Sequence, residues 1–139
     1  MPMEPVLTRY DFPSPDLPAA LRRVADAHGV QDVYWDIWGN EHRPSPDIQR
    51  SILQSMGVDA SSVDSLDRAL RDWLHRERLA PLPVCVVSTA AAPWAPVSLP
   101  AGAVGVAILT VQLEEGGQLV ASSPLEDLPE IETLVVDGG

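Results

Sequence analysis

Tyr34, Trp35 and Trp38 fall within five residues of a chain that holds only four Trp, two Tyr and one Phe. Asp36 and Asn40 stand among them. Flat rings present apolar faces that stack on the C–H faces of a pyranose, and a carboxylate and a carboxamide can bond its hydroxyls. Tyr34, Trp35, Asp36, Trp38 and Asn40 are therefore the candidate sugar-stacking surface. The simpler account of the same residues is packing, with Trp35 and Trp38 anchoring a small core where each buries a large apolar area.

Other reactive side chains do not gather in the sequence. His28, His42 and His75 lie far apart, and none has metal-ligand spacing. Asn40-Glu41-His42 lacks a second motif to complete it, so no metal is expected. Cys85 is the single cysteine, which excludes an internal disulfide; it alternates into an apolar run where a thiol is inert. No Gly-x-Ser-x-Gly elbow, Gly-x-Gly-x-x-Gly turn or phosphate loop occurs, and no cofactor is implied. The carboxylates fall on wet helix faces and in turns, where they solvate the surface. Nothing reads as a self-contained active site.

The elements that must position these residues follow from composition and periodicity. The chain has 139 residues, 45% of them hydrophobic, and a net charge of −11. That composition folds, and that charge repels phosphate backbones and anionic lipid, against both a nucleic-acid role and a membrane role. A helix-turn-helix reading of the segment around Arg43, Gln49 and Arg50 fails on the same ground. No 18-residue apolar run and no leader pattern occurs, so the expected compartment is the cytoplasm. All nine basic residues are arginines within 1–78, beside 13 acids; residues 79–139 carry seven acids and no lysine or arginine. A shift that sharp marks a change of architecture, and the acidic half could meet a basic surface.

Residues 1–13 are rich in Pro and predict an extended arm. Ser14-Pro15-Asp16 predicts a capped start for a helix over about 15–28, with Leu17, Leu21, Val24 and Ala25 on one face. Val30 to Pro44 fits a short strand or a packed loop, with a turn at Gly39-Asn40. Ser45-Pro46-Asp47 repeats the cap and opens a helix over 46–56, its apolar stripe being Ile48, Ile52, Leu53 and Met56. A third helix is predicted over 62–79, with Val63, Leu66, Leu70, Trp73 and Leu74 buried. Asp67-Arg71, Arg68-Asp72 and Asp72-Arg76 would pair on its wet face, each pair worth about 0.2–0.5 kcal/mol. After Pro81 the period changes. Strands are predicted at 84–89, 96–99, 104–113, 118–121 and 131–136, with a small-residue loop from Ala90 to Pro96 and a glycine hairpin at Gly116-Gly117.

Two stretches resemble a known family. They are Leu21 to Val30 running into Tyr34-Trp35-Asp36-Ile37-Trp38-Gly39-Asn40-Glu41-His42, and Ser45 to Val58. They are similar to the N-terminal extension of bacterial 4-α-glucanotransferases (amylomaltase, or disproportionating enzyme). There a Tyr-x-Asp-x-x-Gly stretch precedes a Ser-x-Glu/Asp-x-x-Arg helix ending Leu-x-x-Met/Leu-Gly. Tyr34, Asp36, Gly39, Ser45, Asp47, Arg50, Leu53, Met56 and Gly57 occupy matching positions. Leu82-Pro83-Val84 and Leu113-Glu114-Glu115-Gly116 resemble later signposts of that extension, whose Leu-Pro-x-Gly-Tyr-His motif is absent. The resemblance implies a non-catalytic domain whose parent moves α-1,4-glucan segments between maltodextrins. Its catalytic carboxylates lie in a following (β/α)8 barrel, so none is carried onto this chain.

The expected fold is α+β: a three-helix unit at 14–80, then a partial antiparallel β-sandwich of about five short strands at 81–139, stopping short at its C-terminal end. The expected partners are the parent's own barrel, maltodextrin and, through self-association, a second copy. The rival readings are a stand-alone α-glucan-binding module and a protein-interaction domain working through its acidic β half.

Overall fold

The computed structural model describes residues 4–89, 91 and 94–138. It shows a mixed α+β chain with strand β1 (Val6–Asp11), helix α1 (Leu17–Ala27), strands β2 (Tyr34–Trp35) and β3 (Glu41–His42), helices α2 (Pro46–Ser55) and α3 (Val63–Trp73), and strands β4 (Val106–Gln112), β5 (Gln118–Pro124) and β6 (Glu132–Asp137). The chain divides into two compact units, one of Met1–Arg9 with Leu99–Val135 and one of Tyr10–Ser98 with Val136–Gly139.

The second unit is built on helices. Asp16, rather than Ser14, caps α1, accepting from the Ala19 N–H at 2.8 Å. Ser14 is committed elsewhere: its N–H and hydroxyl both go to the Asp67 carboxylate, at 2.8 and 2.6 Å. Ser45 does cap α2, accepting from Ile48 N–H with Pro46 just inside the helix. The two Ser-Pro-Asp segments thus solve different problems. Ser62 and Ser65 form a reciprocal capping box on α3. That helix does not run on to 79 as a regular α-helix. It widens after Trp73 into a five-residue turn, Leu74–Arg78, closed by Leu79 N–H on the Leu74 carbonyl.

Helix α1 packs on α3 and on α2. Val24, Leu53, Leu66, Leu70 and Leu74 are fully buried between them, and each contributes about 1.5–3 kcal/mol of burial free energy. The predicted α2 stripe is only partly core. Leu53 is buried, whereas Ile48, Ile52 and Met56 stay open to solvent. Asp67 also departs from the wet face assigned to it, being 4% exposed and bonded to Ser14.

The strands form three separate two-stranded ladders among the described residues, β1 with β6, β2 with β3 and β4 with β5, and not the two stacked sheets of a sandwich. The predicted arm at 1–13 contains β1, with residues 1–3 outside the described set. Its ladder with β6 runs parallel, since Val6 N–H meets the Ile131 carbonyl and Phe12 N–H that of Asp137. The predicted strands at 84–89 and 96–99 are not formed. Val84 and Val87 are almost wholly exposed, and among the described residues no neighbouring strand lies against these β-branched side chains to hold them extended. Cys85 is consequently exposed, not tucked into a strand. Of the Ala90–Pro96 loop, residues 90, 92 and 93 lie outside the described set. The hairpin predicted around Gly116-Gly117 is present, and β4 and β5 pair antiparallel from Val106↔Pro124 to Gln112↔Gln118.

Candidate functional site

The five candidate residues lie on one short hairpin, β2–loop–β3, in the helical unit. Its ladder is two residues long, pairing Tyr34 with His42 and Trp35 with Glu41. Asp36 closes it by backbone bonds: its N–H donates to the Asn40 carbonyl and its own carbonyl accepts from Gly39 N–H. Gly39 sits at φ +85°, a conformation strained for any residue with a Cβ.

Asp36 holds the loop together. One carboxylate oxygen accepts from the backbone N–H groups of Trp38 and Asn40, each at 2.9 Å. The other accepts from Asn40 Nδ2 at 2.9 Å and lies 3.0 Å from His42 Nε2. The Asn40 side chain does most to favour the charged form and His42 next, and together with the backbone bonds they hold the Asp36 carboxyl down at about 2, against an ordinary 3.8. The Asp36 carboxylate and the Asn40 amide nitrogen are therefore spent on loop geometry. Their role is positioning, and they are not the free hydroxyl partners that sequence spacing suggested.

The rings separate by strand alternation. Tyr34 turns to one face and stacks on His42, with ring centroids 5.2 Å apart and planes 19° apart. Trp35 points to the other face of the ladder. Trp35 is 62% exposed and Trp38 78%, and Ile37 between them is 89% exposed. The indoles therefore do not anchor the helical core. The core is filled instead by Leu21, Val24, Leu53, Leu66, Leu70 and Leu74, with Phe12 and small alanines. What the structure presents is a loop tip, fixed by Asp36, that holds Ile37 and Trp38 in water with Trp35 exposed at its base.

Beside the hairpin lies an open groove of about 640 Å³, lined by Tyr34, His42 and Arg43, by Ile48 and Ile52 of α2, and by Met56 at its C-terminal cap. Sequence reasoning missed it because it read Ile48, Ile52 and Met56, together with Leu53, as one apolar stripe of the second helix. Their i, i+4, i+8 spacing, a stripe separate from Leu53, was the available signal. His28 also lines the groove, with Nδ1 2.9 Å from the Val24 carbonyl. Among the described residues, no group of three or more His, Cys, Asp or Glu could hold a metal ion, and no helix is long and apolar enough to cross a membrane. Comparison with protein-family models, with curated proteins and with solved structures finds no match to this chain.

Proposed function

We propose that this chain is the non-catalytic N-terminal domain of a 4-α-glucanotransferase, working in the cytoplasm, and that it holds α-glucan on the exposed indoles of the β2–β3 hairpin. The observation that carries the glucan reading is the exposure of Trp35 and Trp38 on a loop that Asp36 has already ordered. Indoles held in water by a pre-formed loop bind a ligand without first losing loop entropy. The motif positions support the domain assignment. Asp36 and Gly39 shape the hairpin, Ser45 caps α2, and Gly57 ends that helix at φ +84°. Those are structural duties, as suits an accessory domain whose bond-making residues belong to a barrel elsewhere in the parent polypeptide.

Titration of the 139-residue chain with maltoheptaose, followed by tryptophan fluorescence, tests the glucan reading. A saturable change is expected, lost in Trp38→Ala. Stacking of this kind adds about 0.5–1.5 kcal/mol per ring, so weak binding is expected. An unchanged spectrum, or a response that Trp38→Ala leaves intact, refutes it. The same chain should leave maltotriose untouched, and turnover by it refutes the non-catalytic assignment.

A further inference from the structure

The β4–β5 hairpin of the other unit presents a complete, unpaired strand edge. Leu113 N–H donates to the Gly117 carbonyl at one end of the ladder and Leu125 N–H to the Gly105 carbonyl at the other. Antiparallel bonding alternates, so the odd-numbered residues of β4 face β5 with their backbone groups, and Ile108, Thr110 and Gln112 turn theirs outward. Among the described residues no third strand lies against them. The corresponding edge of β5 ends on Pro124, which has no N–H to offer, so β4 is the intact edge.

Nothing in β4 guards that edge. Natural edge strands are blunted by lysine, proline, a bulge or an inward charge, and Val-Ala-Ile-Leu-Thr-Val-Gln has none of these. Both faces are apolar and open, with Val106, Ile108 and Val120 on one and Leu109, Val111 and Leu119 on the other. A lone two-stranded hairpin is marginal in water, and a third strand is the usual minimum. Charge selects the occupant. Glu114 and Glu115 stand at the hairpin tip, Glu126 and Asp127 follow β5, and residues 79–139 contain no Lys or Arg. A second copy of this strand would bring acid against acid.

We infer that the β4 edge receives an extended polypeptide segment, aliphatic in its middle and carrying Lys or Arg at both ends, added as a third strand. Main-chain bonds to Ile108, Thr110 and Gln112 give affinity, and the flanking carboxylates select basic ends. The inference uses a different unit from the glucan surface and does not depend on it.

The probe is the peptide Lys-Val-Thr-Val-Thr-Val-Lys, compared with its Glu-flanked counterpart, with amide hydrogen exchange of the whole 139-residue chain read residue by residue. The Lys-flanked peptide should slow exchange at Ile108, Thr110 and Gln112 by about tenfold or more, and the Glu-flanked peptide should do so far less. Thr110→Pro removes an outward donor that β5 does not use, so the hairpin should persist while the slowing disappears. No slowing, equal slowing by both peptides, slowing confined to β5, or slowing that rises with protein concentration when no peptide is present would each overturn the inference.

Discussion

Replacing Asp67 should unfasten the helical unit. Asp67 and Ser14 are 4% and 5% exposed, and they are bonded through both carboxylate oxygens. Arg23 donates to the Ser14 hydroxyl at 2.6 Å, so that hydroxyl must give its proton to Asp67 and accept from Arg23. The guanidinium groups of Arg23 and Arg71 lie 4.9 and 4.3 Å from the Phe12 ring centroid, and Arg71 also donates to the Gly138 carbonyl. Asp67→Ala strands two buried donors, at about 1–3 kcal/mol each, and leaves Arg23 without a nearby buried carboxylate. A loss of about 3–5 kcal/mol follows, a large share of the roughly 5–15 kcal/mol that holds a domain folded. Asp67→Asn keeps an oxygen for Ser14 N–H and can donate to the hydroxyl oxygen, so it should lose only about 1–2 kcal/mol. Urea unfolding followed by far-ultraviolet circular dichroism measures both. A loss below about 1 kcal/mol for the alanine variant, or equal losses for the two, would refute this account of the Ser14–Asp67 contact.

Asp36→Ala should free the hairpin tip and abolish the maltoheptaose response while leaving the helical signal in place; a full response in that variant would show that the tip does not need its carboxylate. The Asp36 carboxyl is held at about 2 against an ordinary 3.8. Its depressed value means that the charged loop adds stability above 3.8 and loses that contribution as pH falls through about 2. The Asn40 side-chain amide signals in a nuclear magnetic resonance titration should therefore move with a midpoint near 2, and a midpoint near 3.8 would contradict the bonding described. Trp35→Ala combined with Trp38→Ala should change the free energy of urea unfolding by no more than about 0.5 kcal/mol, as for exposed side chains generally; a larger loss would mean that the rings support the core.

Helices were legible because their signals are local. Ser45 with Pro46, Ser62, and the spacing of Leu66, Leu70 and Leu74 set starts and buried faces within a few residues of themselves. Asp67 was misplaced for the opposite reason. A carboxylate four residues before Arg71 looks like half of a surface pair, and only the fold brings Ser14, 53 residues away, into reach. The same long-range contact drew Ser14 off the α1 cap and gave that duty to Asp16. Val84 to Thr89 failed as a strand because β-propensity records fit to a neighbouring strand, which no sequence window contains. The groove escaped notice because the α2 stripe is wider than the face that α1 covers, and periodicity does not say which of Ile48, Ile52, Leu53 and Met56 the neighbour will reach.

The hairpin separates two things that the family resemblance joins. In Tyr-x-Asp-x-x-Gly the fixed positions are Tyr34, Asp36 and Gly39: a ring stacked on His42, a carboxylate gathering the loop, and a backbone at positive φ. The positions left open are those of Trp35, Ile37 and Trp38, the very side chains that stand in water. Loop shape and loop display are therefore specified by different residues. A chain can keep the scaffold and change what it displays, so the proposed glucan binding needs both sets of side chains, whereas the resemblance rests on the scaffold alone. A substitution among Tyr34, Asp36 and Gly39 disturbs both, whereas one at Trp35 or Trp38 alters what the loop can hold and leaves its shape alone.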